Sequence, residues 1–397
     1  MITLIRKAKV YAPEALGVKD VLVVGDAIAA VADELDAPVG GGLSVREVDA
    51  EGKVLVPGFI DGHVHILGGG GEGGFATRTP EVTLTTLTTA GVTTVVGTLG
   101  TDGVGRDTMA LLAKAKGLRQ EGVTAYCYTG AYRIPVPTLT DSVMKDIMAV
   151  DEIIGVGEVA LSDHRSSQPT FEEFVRLVAD ARVAGMLSGK AGIVNIHMGD
   201  GKSNLSYVRR AVAETELPRT QFLPTHMGRN PELFEDGITY MKEGGYCDFT
   251  GAEDPDLWER EYGEVRYSKV VRRIVDEGID LSHFTFTSDG QGSFPMFDDQ
   301  GEYLGIGIGK SSCLLEGVKE CVFREGIGLD VALRGLTANP ADLLKLPKKG
   351  RIAPEKDADL VLLDETSLDI DTVWARGKVM VEAGRPVVFG TFEPHAS

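Results

Sequence analysis

Apolar positions recur in two rhythms along this chain. From residue 1 to about 56 they fall in short runs with a period of two, as in TLIRKAKVYA and SVREVDAEGKVLVPG, separated by Asp, Gly and Pro. That period is the spacing of half-buried strands. Within DVLVVGDAIAAVADEL, Gly25-Asp26 stands between two apolar segments, which predicts a two-residue hairpin turn. The last stretch, 343–397, returns to the same rhythm in ADLVLLD, TVWARGKVMVEAG and PVVFGTF. The two ends therefore predict one small β-sandwich domain assembled from residues 1–56 and 343–397.

Between them the pattern changes. Near-continuous apolar segments alternate with charged, helix-prone stretches such as DTMALLAKAKGLRQEG and TFEEFVRLVADARVAG. The strand candidates are VLVPGFIDGHVH, TTVVGTLG, TAYCYTGAY, IIGVGEVALSD, IVNIHMGD, FLPTHMGR, YCDFTG and HFTFTSDG. Eight such segments, each followed by a potential helix, predict an α/β chain with a (β/α)8 barrel of TIM type over residues 57–342. A doubly wound open sheet fits less well, because no glycine fingerprint follows the first strand.

In such a barrel the chemistry gathers where the strands end. Those ends carry His63 and His65, then Glu158, His197, His226 and Asp289. His63 and His65 are two apart, so on a strand both imidazoles point to one side and can share a metal ion. A lone His-x-His is weak evidence. Two more strand-end histidines and an aspartate in the order of one barrel mouth make a metal site the better reading, since only seven histidines exist in the chain.

At these residues the sequence resembles the amidohydrolase superfamily, through PGFIDGHVH at 57–65, His197, His226, TSDG at 287–290 and GRIAPEKDADLVLLD at 350–364. Within it the chain is similar to the isoaspartyl (β-aspartyl) dipeptidases, through HVHILGGGGEGG, RTPE, GTD, TGAY, SDHRS, HMGD, PTHMGRN and SDGQGS. The resemblance implies two divalent ions, with zinc the expected metal, bridged by a hydroxide that attacks the isopeptide bond of a β-aspartyl dipeptide. His63, His65 and Asp289 match the ligands of one ion, and His197 and His226 those of the other. Asp289 matches the general base and acid. Tyr132 matches the hydroxyl that polarises the scissile carbonyl, and Glu72 the carboxylate that holds the substrate ammonium. Arg165 and Arg229 match the carboxylate clamps, and Thr101 and Ser293 match hydrogen-bonding partners of the substrate.

One position departs from the family's usual form. Where many members carry a carboxylated lysine on strand four, this chain has Glu158. A glutamate supplies a bridging carboxylate on a shorter arm, so the backbone is expected to move inward or the bridge to be asymmetric. The same departure keeps alive a related amidohydrolase acting on a cyclic amide, as dihydropyrimidinases and hydantoinases do, or on an N-acyl amino acid. A non-catalytic scaffold is disfavoured, because all six ligand positions hold ligand-type side chains. His164, inside SDHRS, is expected behind the ligands rather than among them.

Composition narrows the setting. With 40 Lys plus Arg against 59 Asp plus Glu, the net charge of −19 disfavours nucleic acid and anionic membranes as partners. The opening MITLIRKAKVYAPE has no apolar signal core, and Cys127, Cys247, Cys313 and Cys321 show no CxxC spacing. Buried thiols in a cytoplasmic protein are the expectation. GIGIGKSS at 305–312 is no phosphate loop, since Leu304 stands where its first glycine is required. The resemblance further implies a homo-oligomer, an octamer in that family.

Overall fold

A computed structural model describes residues 2–38, 44–297 and 303–394. Its terminal segments form a single nine-stranded mixed sheet. Strands β1 (Ile2–Tyr11), β2 (Ala15–Val24), β3 (Ala27–Ala32), β4 (Val45–Asp49) and β5 (Lys53–Pro57) come from the start of the chain. Strands β16 (Leu360–Asp364), β17 (Ile370–Ala375), β18 (Lys378–Glu382) and β19 (Arg385–Pro386) come from the end. The order is β19-β18-β17-β16-β5-β1-β2-β3, with β4 pairing parallel to β1. The predicted hairpin is present: Val24 pairs with Ala27 across Gly25 and Asp26, and Gly25 takes a φ of 66°. Alternate residues of these strands, including Ile5, Val21, Leu55, Leu360 and Trp374, bury a core of their own.

The barrel strands are β6 (Phe59–Val64), β7 (Val92–Gly97), β8 (Thr124–Thr129), β9 (Ile153–Leu161), β10 (Ile193–Met198), β11 (Phe222–Thr225), β12 (Cys247–Thr250) and β13 (Phe284–Thr287). Between them run α1 (Leu84–Thr88), α2 (Thr108–Glu121), α3 (Val143–Ala149), α4 (Phe171–Ser188), α5 (Ser206–Glu214), α6 (Pro231–Lys242), α7 (Pro255–Tyr262) and α8 (Tyr267–Asp276). A hairpin, β14 (Ser293–Phe297) and β15 (Tyr303–Ile308), precedes α9 (Cys313–Phe323), α10 (Leu329–Ala332) and α11 (Ala338–Leu343). Local signals set these boundaries. Thr170 and Glu173 form a capping box at the start of α4, and Asn230 caps α6 ahead of Pro231.

The apolar run 54–65, which the sequence pattern places both at the end of the terminal β segment and at the start of the first barrel strand, is two strands in two sheets. β5 pairs with β16, and the chain then breaks at Gly58 before β6 pairs with β7. A side chain at Gly58 would lie 2.2 Å from Thr93 Oγ1, so only glycine lets the backbone turn so close to the neighbouring strand.

Six parallel strands, β6 to β11, form one sheet and β12 and β13 a pair. Two junctions close the ring. At one, Met227 N–H donates to Asp248 O at 3.1 Å; at the other, His65 N–H donates to Gly290 O at 2.9 Å. A buried carboxylate ties each seam. Asp248 accepts hydroxyls of Thr225, Thr285 and Thr287 at 2.5, 2.5 and 2.6 Å, and Asp61 accepts those of Ser288 and Ser311 at 2.5 and 3.1 Å. Burial raises both carboxyls, Asp61 to about 6, against the lowering effect of these hydrogen bonds. Closure brings the C-terminal ends of all eight strands to one mouth. No helix among the described residues is long and apolar enough to cross a membrane.

Candidate metal centre

Closing the barrel puts the strand-end histidines around one carboxylate. His63, His65 and Glu158 offer ligand atoms within 4.8 Å of one another, and so do Glu158, His197 and His226. Both groups are buried and share Glu158. Glu158 Oε2 lies 3.4 Å from His63 Nε2, 3.1 Å from His197 Nδ1 and 3.7 Å from His226 Nε2, whereas Oε1 faces His65 Nε2 at 3.4 Å. Asp289 Oδ1 approaches His65 Nε2 at 3.1 Å and His63 Nε2 at 3.5 Å, and its side chain is 31% exposed toward the cavity. His226 and Asp289 take left-handed φ values of 62° and 50°, which for non-glycine residues marks backbone held under strain at a functional mouth.

The short arm of Glu158 is met by a shift in the sheet. Between β9 and β10 the pairing runs from Val194 with Val156 to Ile196 with Val159, so one extra residue is taken up at Gly157-Glu158. Such a bulge re-aims a side chain. A side chain at Gly157 would stand 2.8 Å from Asn195 Cβ, so the bulge needs glycine there.

Each of three histidines is oriented by a partner behind it. His63 Nδ1 is 3.1 Å from Asn195 Oδ1, His197 Nε2 is 3.1 Å from Asp163 Oδ2, and His226 Nδ1 is 2.7 Å from Thr250 Oγ1. The opposite nitrogen of each ring then faces Glu158, the arrangement that fixes tautomer and aim for a metal ligand. The donor atoms aimed inward fit a cation: among the described residues no hydrogen bond reaches the buried His63 Nε2, His226 Nε2 or Asp289 Oδ1. Electrostatics agree. Burial would raise Glu158, yet the charges of His63 and His197 hold it well below the usual carboxylate range. Burial lowers His226 to about 3, so its imidazole is neutral and its lone pair available. The carboxylates that would keep a proton on His63 equally favour a metal cation in the proton's place.

The mouth opens into a cavity of about 500 Å³ lined by Glu72, Thr101, Tyr132, Arg165, Arg229 and Ser293 beside the histidines. All the residues predicted for the site therefore come together. Thr101 donates to Glu72 Oε1 at 2.7 Å. The Tyr132 hydroxyl lies 2.8 Å from His197 Nδ1, and burial raises it well above the ordinary tyrosine value, so it stays protonated. The two arginines differ. Arg165 grips Asp163 through Nε and Nη2 at 3.0 and 2.8 Å, reaches Glu72 at 3.4 Å and lies over the Tyr132 ring. Arg229 Nε is buried, and among the described residues no hydrogen bond or ion pair reaches its guanidinium, which leaves it available to an anion.

His164 does not stand behind the ligands: it is exposed, and its neighbour Asp163 turns inward instead. Sequence reasoning also missed Asn195 and Thr250. Asn195 carried a readable signal, because it is two residues before His197 on β10 and so shares its face. All four cysteines are free and buried, as expected.

The fold and site define a (β/α)8 protein with a candidate two-ion centre at its strand ends. The amidohydrolase family model matches residues 54–380, and the chain belongs to that family. It is 43% identical to the β-aspartyl dipeptidase of Fervidobacterium islandicum AW-1, solved in complex with β-Asp-Leu; the match covers 99% of this chain and 100% of that one with a TM-score of 0.88. Adenine deaminase 3 of Rhizobium meliloti is 24% identical over 402 residues, covering 96% of this chain and 57% of its own length. The chain thus spans little more than half the length of such curated relatives. Dihydropyrimidinase of Brevibacillus agri, 18% identical with a TM-score of 0.67, shares the fold.

Proposed function

We propose that the protein is a metal-dependent dipeptidase that hydrolyses the isopeptide bond of β-aspartyl dipeptides. The observation that carries this reading is the end-to-end match, at 43% identity, to a dipeptidase solved with β-Asp-Leu. The cavity supports it chemically. A β-aspartyl dipeptide presents one ammonium and two carboxylates, and the cavity offers Glu72 for the first and Arg165 and Arg229 for the others.

His63, His65 and Asp289 would hold one divalent ion, His197 and His226 the other, with Glu158 between them. Zinc suits this nitrogen and oxygen donor set. When bound, such a pair lowers the pKa of water and polarises the amide carbonyl. Asp289, open to the cavity, accepts the proton released from water and returns it to the leaving amine. Tyr132 donates its retained proton toward the carbonyl oxygen as negative charge develops there. Glu72 and Thr101 orient the ammonium, Ser293 adds a hydrogen bond, and Arg229 takes a carboxylate into its unpaired guanidinium. Residues 57–342 form the catalytic barrel in this reading, carried on a β domain from 1–56 and 343–397. The unpaired thiols fit a cytoplasmic setting, and a homo-oligomer completes the proposal.

The test is a paired assay. Purified, metal-analysed protein should cleave β-Asp-Leu and leave α-Asp-Leu intact. Equal rates on both, or hydantoin or N-acyl-aspartate hydrolysis exceeding that of the dipeptide, would refute the reading.

A further inference from the structure

The cavity has a second end that the chemistry above does not use. Trp258 and Tyr262 lie one turn apart on α7 with ring centroids 4.9 Å apart, and Trp258 meets Phe294 of β14 edge to face at 5.9 Å. These rings form an aromatic wall of the cavity. Its position is pinned to the loop of Arg229, because Val265 N–H donates to Gly228 O at 2.7 Å. Two carboxyls that line the cavity flank α7, Glu253 just before its capping Asp254 and Glu264 just after Gly263, with the Glu264 N–H donating to Trp258 O at 3.3 Å. Glu253 Oε1 accepts the Lys310 N–H at 2.7 Å. Among the described residues no hydrogen bond or ion pair reaches the Glu264 carboxyl, which burial pushes up to about 7 against the pull of nearby Arg229.

We propose that this end receives the side chain of the dipeptide's second residue, and that Glu264, with Glu253 and the aromatic wall, selects a long cationic side chain there. The proposal rests on the dipeptidase reading and adds the preference for the leaving amino acid. Aromatic faces next to carboxylates are the chemistry that recognises a cation. A lysine-type side chain lays its apolar stem along Trp258 and Phe294 and brings its ammonium to Glu264. Binding also changes the charge balance. A substrate carboxylate on Arg229 neutralises the cation that favours ionised Glu264, and an ammonium from the substrate restores it. A neutral side chain of equal length leaves the carboxyl unpartnered, and an acidic one meets like charge.

The experiment compares kcat/KM for β-Asp-Lys, β-Asp-Met and β-Asp-Glu on the metal-loaded protein, its Glu264→Gln variant and its Glu253→Gln variant. The parent should favour the lysyl over the methionyl dipeptide by about tenfold, the scale of one charge-assisted hydrogen bond, and Glu264→Gln should bring that ratio within about threefold. A parental Lys-to-Met ratio near one overturns the proposal, as does a ratio preserved in both variants. If Glu264→Gln does not fold, the parental ratio and Glu253→Gln decide. Cleavage of every dipeptide without a lysine preference leaves the dipeptidase reading standing and removes only this proposal, whereas cleavage of none removes both.

Discussion

Replacing Asn195 by alanine isolates what the groups behind the ligands contribute. Asn195 is 1% exposed, and its Oδ1 sits 3.1 Å from His63 Nδ1 while His63 Nε2 faces Glu158 at 3.4 Å. Anchoring Nδ1–H keeps the Nε2 lone pair on the ion and raises the basicity of the ring. Removing such a partner lowers metal affinity or activity by about 10- to 100-fold, or about 1.4 to 2.7 kcal/mol. The fold should lose less. Asn195 Nδ2 already lacks a partner, so alanine deletes a buried orphan together with the acceptor. Chelator competition on the purified protein reads the affinity, and thermal melting of the metal-free form reads the fold. The expected result is weaker metal binding with a small change in melting temperature. Asn195→Asp should restore binding, because its carboxylate accepts the same Nδ1–H. Parental affinity in Asn195→Ala would refute the reasoning.

Other substitutions separate the remaining roles. Asp289→Asn should retain at least part of the metal while losing most turnover, and near-normal turnover would contradict its acid–base role. Glu158→Gln removes the carboxylate shared by both histidine groups and should lower metal content per chain; two ions at full occupancy with an unchanged rate would show that it does not bridge. Arg229→Met should raise KM for β-Asp-Leu by at least about tenfold, the loss of a charge-assisted contact, and an unchanged KM would remove Arg229 from substrate binding. Glu264 bears on stability as well. Its folded pKa of about 7 exceeds the ordinary 4.5, so the folded protein keeps a proton that the unfolded chain releases, and that contribution fades as pH rises between the two values. Glu264→Gln should therefore gain in melting temperature on the parent between about pH 5 and about pH 8, and a constant difference across that range would be inconsistent with a raised carboxyl.

Much of this molecule is legible in its residues because the relevant signals are local. A period of two marks the terminal strands, and the pair Gly25-Asp26 marks their turn. The strand-end positions of the four histidines at the mouth follow from the segments that lead into them: His63 and His197 are the last residues but one of β6 and β10, and His65 and His226 directly follow β6 and β11. Side-chain direction along one strand needs no knowledge of its neighbours. Why the run 54–65 breaks at Gly58 was not legible, since it depends on how near Thr93 comes.

The sequence by itself thus determined the eight-fold alternation, the terminal β segments and the ligand-type side chains in their order. Tertiary structure alone decided that Gly157 and Glu158 bulge toward the centre, that Asn195, Asp163 and Thr250 aim the imidazoles, and that, among the described residues, Arg165 is already paired while Arg229 is not. It also decided that Trp258 of α7 meets Phe294 of a distant hairpin. The reason is physical. A strand's own pattern sets which way each side chain points, but what it meets depends on register and on closure of the ring, and those are properties of segments far apart in the chain.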